Sequence, residues 1–128
     1  MSFGTPLDTG YVSLYRKITE WEWYTNTNVK SLFIHCLLRA NHKSQKWQGI
    51  AVERGAFITS LAKLSVETGM SLKAVRIALK HLESTGEIKQ ESTNKFTKII
   101  VTNYNYYQEQ GKQGANKRQA EGKQTTSN

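Results

Sequence analysis

Residues 60–88 read SLAKLSVETGMSLKAVRIALKHLESTGEI, and this stretch decides the fold. Ser60 can cap a helix in which Leu61, Leu64 and Val66 supply apolar contacts. Gly69 ends that helix, as suits the left-handed residue that follows many helices. Ser71 caps a second helix almost at once. Its Leu72, Val75, Ala78, Leu79 and Leu82 recur at helical spacing as one inward stripe, and Gly86 stops it. Two helices joined by so short a glycine-containing turn fit a helix-turn-helix. The outward face of the second helix carries Lys73, Arg76, Ile77, Lys80 and Ser84, with His81 at its flank and no acid before Glu83. In such a pair the second helix enters the major groove of DNA. There Lys and Arg reach phosphates or guanine edges, and only the latter specify sequence. Ser71 and Ala74, at the start of the helix, complete its expected contact set.

Downstream, EIKQES and FTKIIVTN are strand-like and are separated by Thr93, Asn94 and Lys95. A hairpin at this place is the wing of a winged helix. Thr93, Asn94 and Lys95 form its tip, with Lys89 and Lys98 on the flanking strands as further expected DNA contacts. YNYY at 104–107 closes the domain with aromatic surface.

Upstream, residues 47–59, WQGIAVERGAFIT, are strand-like but broken by Arg54-Gly55, giving two short strands or a strand and a loop. Residues 28–40 are helical with Thr27 or Asn28 as cap. Val29, Leu32, Phe33, Cys36, Leu37 and Ala40 form one face, and Ile34 and Leu38 extend the apolar arc beyond what one core face requires. A helix this apolar is covered on two sides, by its own domain or by a second copy. Residues 10–24 alternate at first like a short strand, and Ile18, Trp21 and Trp23 then suggest a short helix or turn. Trp21, Trp23, Tyr24, Ile34 and Leu38 are the expected self-association surface.

The chain has 128 residues and a formal net charge of +8, which suits one small domain and favours a polyanionic partner. Residues 108–128 hold no large apolar side chain, so a disordered polar tail or linker is expected there. Its four cations against two acids leave the preceding residues with +6. Residues 1–9 are expected to be a flexible N-terminus and 10–107 the folded domain. No apolar run approaches the roughly 20 residues of a membrane span, and no secretory leader is evident, so a cytoplasmic protein is expected. The single cysteine forms no internal disulfide. His35, Cys36, His42 and His81 show neither C-x-x-C nor H-x-x-x-H spacing, so neither a metal nor any other cofactor is expected. Glu20 and Glu22 flank Trp21 without an evident pocket. No nucleophile elbow, phosphate loop or dinucleotide fingerprint occurs, which argues against an enzyme.

The wider frame carries a resemblance. Trp21-Glu22-Trp23-Tyr24, SLFIHCLLRANHK at 31–43, WQGI at 47–50, RGAFITS at 54–60, the helix pair, STNKFTKIIVTNY at 92–104 and Tyr107-Gln108 resemble the N-terminal domain of phage replisome organisers, the DnaD-like replication-initiation proteins. The resemblance covers nearly all of residues 10–108. It implies an α+β, mostly helical fold: a winged helix-turn-helix with a C-terminal β-hairpin wing. It further implies DNA binding, self-association, and a replicative helicase or its loader as partner. Members of the family continue past a polar linker into a second helical domain, and here the sequence ends within a segment that resembles that linker. The alternative is a winged-helix transcriptional regulator, and a third reading is a scaffold that binds only protein, since fold does not fix function.

Overall fold

The computed structural model describes residues 10–108. They form a small α+β domain with two antiparallel sheets. After a 3-10 turn at Arg16–Glu20 come α1 (Thr27–Arg39), β1 (Gln45–Trp47), β2 (Ile50–Val52), β3 (Ala56–Thr59), α2 (Leu61–Thr68), α3 (Leu72–Ser84), β4 (Ile88–Ser92) and β5 (Thr97–Val101). A helical turn at residues 104–108 follows. β5 lies between β3 and β4, antiparallel to both, and β1 pairs with β2 as a separate hairpin.

Each helix starts where a short polar side chain replaces a missing backbone acceptor. Asn26 accepts from Val29 N–H at 3.1 Å, Ser60 from Lys63 N–H at 3.1 Å, and Ser71 from Ala74 N–H at 3.0 Å. The cap of α1 is therefore Asn26, not Thr27 or Asn28, and the helix begins one residue earlier than expected. The core gathers one face of each helix and one face of the sheet. Val29, Leu32, Phe33, Cys36 and Leu37 meet Leu64, then Val75, Ala78, Leu79 and Leu82, against Phe57, Ile88, Ile99 and Val101.

Two expected core residues are outside it. Val66 is 81 % exposed because it sits about 200° around α2 from the buried Leu64, and a helix of two turns buries only one side. Leu72 is 44 % exposed because it opens α3, where side chains lean back past the end of the packed stripe. The stretch 47–59 holds parts of three strands, and the first begins at Gln45.

No strand forms at residues 10–15. The reason lies at the other end of the domain. Gln108 accepts from Ser13 N–H at 2.7 Å and donates to Ser13 C=O at 3.3 Å, so a side-chain amide replaces a partner strand. Tyr15 adds a hydrogen bond from its hydroxyl to Tyr107 C=O at 3.0 Å. Gln108 is buried, so the domain boundary drawn after Tyr107 falls one residue short. The expectations for residues 1–9 and 109–128 lie outside the described residues.

Gly55 is the point where chain direction and packing are fixed together. Its N–H donates to Asn41 C=O at 2.8 Å and its C=O accepts from Val101 N–H at 2.9 Å. Its φ is +88°, and a Cβ there would come within 2.8 Å of Tyr104 Cβ. Gly49, at φ +82°, has nothing within 4 Å of the same position. Gly49→Ala should therefore cost only the left-handed backbone penalty, about 1–2 kcal/mol. Gly55→Ala adds a backbone-anchored clash and should lower the melting temperature distinctly further. Equal melting temperatures for the two variants would refute the role given to Tyr104.

Candidate nucleic-acid interface

The turn between α2 and α3 is locked by side chains on α2. Gly69 takes φ +77°. Ser65 donates its hydroxyl to Met70 C=O at 2.6 Å, and Thr68 Oγ1 accepts from Met70 N–H at 3.2 Å while donating to Leu64 C=O at 2.7 Å. These bonds fix the path of the turn, and the buried stripe of Val75, Ala78, Leu79 and Leu82 sets the opposite side of α3 toward solvent. Lys73, Arg76, Ile77, Lys80 and Ser84 are all exposed there. Lys73, Arg76 and Lys80 make no ion pair among the described residues. Ser71 is exposed at the helix start, and Ala74 is half-buried in a cleft of about 250 Å³ between the N-terminal ends of α1 and α3, beside Asn26, Asn28 and Lys73.

His81 is not a free flank residue. Its ring lies on Trp23 with centroids 4.6 Å apart and an interplanar angle of 38°.

The β4–β5 connection is a tight loop. Thr93 N–H donates to Phe96 C=O at 2.8 Å, and Thr93 Oγ1 accepts from Lys95 N–H at 3.0 Å and from Phe96 N–H at 3.2 Å. Thr93, Asn94 and Lys95 are exposed at its tip, and Lys89 is exposed on β4. Lys98 departs from expectation. Its ammonium lies 2.8 Å from Glu53 and 3.7 Å from Glu91, and its side chain is only 14 % exposed. The hydrogen bond between them holds the Glu53 carboxyl below its ordinary value and Lys98 above its own. A lysine so placed ties the end of β2 to the sheet, and its charge is already engaged by two carboxylates.

The expected self-association surface divides in two. Trp21 packs on Phe33 at 5.0 Å and donates its indole N–H to Glu87 at 3.0 Å. Trp23 donates to Thr85 Oγ1 at 3.0 Å, and Tyr24 carries the Lys30 ammonium 3.9 Å above its ring. Trp21 and Trp23 close the domain on itself, packing against the core from the short 16–24 segment, while the Tyr24 ring meets Lys30 of α1. Ile34 is half-buried, and Leu38 is 60 % exposed.

The arrangement offers no gathered donors for a metal: among the described residues no group of three or more His, Cys, Asp or Glu could hold one. Burial pushes the Cys36 thiol up to about 12, so it is a core residue rather than a nucleophile. No described helix is long and apolar enough to cross a membrane. Comparison of the chain with protein-family models, with curated proteins and with solved structures finds no match.

One feature escaped the reading of the sequence: the exposed β1–β2 hairpin meets the β4–β5 tip, with Trp47 and Phe96 ring centroids 5.5 Å apart at 78°. Its only local signal was the Gln48-Gly49 pair between two strand-like residues.

The Lys98 geometry yields a test. The pair stabilises the fold between the ordinary Glu and Lys values of 4.5 and 10.5, and the contribution is lost as pH falls through the lowered Glu53 value or rises through the raised Lys98 value. Lys98→Met should lose less than about 1 kcal/mol at neutral pH and nothing in acid. In a salt titration of DNA affinity it should leave the slope unchanged, and a shallower slope would return Lys98 to the contact set.

Proposed function

We propose that this chain binds duplex DNA as a winged helix, with α3 as the recognition helix and β4–β5 as the wing, in the service of replication initiation. The order α1, β3, α2, α3, β4, β5 supports the fold reading: helix, strand, a helix pair joined by the three residues Gly69, Met70 and Ser71, then a hairpin. The observation that carries the function is the outer face of α3. Three cations that make no ion pair among the described residues stand on a helix whose facing is set by its buried stripe. A solvated surface helix more often intersperses acids among its bases. Lys95 and Lys89 extend positive charge onto the hairpin. The replication role rests on the resemblance stated above, and its implied helicase or loader partner rests there too.

Each neutralised phosphate adds about 0.9 to the slope of log affinity against log salt. Replacing Lys73, Arg76 and Lys80 together by alanine should flatten that slope by roughly two to three units. All three side chains are exposed, so the variant should melt as the parent does. Unchanged affinity and slope would defeat the assignment of α3.

Self-association belongs to the same reading, on a smaller surface than the sequence suggested. Leu38 shares a groove of about 530 Å³ with Tyr11, which is 89 % exposed, and with His42 and Tyr104. Two binding heads joined this way turn weak individual contacts into useful affinity through effective concentration. Sedimentation at micromolar concentration should show a species larger than the monomer, and Leu38→Glu should return it to monomer with folding intact. A wild-type protein that sediments as a monomer throughout would dispose of the proposal.

A further inference from the structure

The β1–β2 hairpin stands apart from the core. All three residues of β1 are exposed, and an isolated two-stranded hairpin is marginally stable in water. Three features nevertheless hold it. Its two-residue turn has both central residues in the left-handed region, Gln48 at φ 48° and Gly49 at φ 82°, the geometry that matches strand twist in tight hairpins. Trp47 abuts Phe96 edge to face. Lys98 bonds Glu53, just past β2, and Glu91 on β4, so one ammonium spans both hairpins.

The charge left over is one-sided. Between residues 41–55 and 88–101 the only acids are Glu53 and Glu91, and Lys98 engages both. Lys43, Lys46, Lys89 and Lys95 are exposed and make no ion pair among the described residues. The β1–β2 register faces Lys46 with Ala51 and puts Trp47 with Ile50 on the other side, so Lys46 projects away from the side that Trp47 presents to Phe96.

We propose that the β1–β2 hairpin is a second phosphate-contacting element, held against the β4–β5 hairpin by the Trp47–Phe96 contact so that both hairpins meet the DNA backbone as one cationic unit. The inference rests on the DNA-binding reading and adds to it an element outside the helix pair and its following hairpin. Lys43 and Lys46 supply the charge. Trp47 is a positioning residue, acting through Phe96 on where those lysines stand.

The test compares four variants of the full chain on one duplex oligonucleotide across a salt series. Lys43→Ala/Lys46→Ala should flatten the slope by roughly one to two units. Trp47→Ala keeps every charge, yet it should lower affinity several-fold by releasing the hairpin, and Trp47→Phe, which preserves a ring against Phe96, should restore it. The Lys73, Arg76 and Lys80 triple variant serves as the reference. If that variant weakens binding while the two-lysine variant keeps the wild-type slope, the hairpin proposal fails and the α3 reading stands. If all variants bind as wild type, the assignment of α3 fails and the hairpin proposal falls with it. A Trp47→Ala protein with full affinity overturns the positioning role of the aromatic contact.

Discussion

The outward chemistry of this domain depends on what α3 buries. Val75, Ala78, Leu79 and Leu82 enter the core against Leu32, Cys36 and Leu37 of α1 and Ile88 and Ile99 of the sheet. Interiors packed at crystal-like density do not tolerate rotation of a helix by even part of a turn. The consequence is that Lys73, Arg76 and Lys80 all leave the helix on its solvent side. Core packing fixes the backbone that carries them, while the exposed side chains keep their own rotamer freedom. The Gly69-Met70 turn enforces the same geometry from the other end: Ser65 and Thr68 hold the loop and Ser71 starts the helix.

A second constraint comes from the size of the domain. So short a chain has little core to spare, and residues that look like surface are used to close it. Trp21 and Trp23 reach from the N-terminal segment to Glu87 and Thr85, just after α3. Gln108 reaches back to Ser13. The two ends of the domain are thereby fastened to each other and to the helix pair, with hydrogen bonds where strand pairing would otherwise be needed.

How much of this was legible in the sequence differs by element. The helix pair and following hairpin announced themselves, because a glycine between two serine caps and a clean apolar stripe are local signals. The exposed cations of α3 followed from the same periodicity. The fate of the aromatics did not. Trp23 stacks on His81, fifty-eight positions away, and nothing near Trp23 encodes that partner. The ion pair of Lys98 was hidden for the same reason: its place on a strand beside the hairpin tip was legible, while Glu53 arrives from a different hairpin. Val66 shows the opposite error, a local apolar residue credited with a burial that a two-turn helix does not provide.

The central claim is that the α3 face fixed by the core is where duplex DNA sits. Residue-resolved amide shifts of isotopically labelled protein, followed while a duplex oligonucleotide is added, test it most directly. The account predicts that the largest changes fall on residues 71–80, with a second set at residues 93–96. Changes centred instead on the groove of Tyr11 and Leu38, with α3 amides unmoved at saturation, would contradict it.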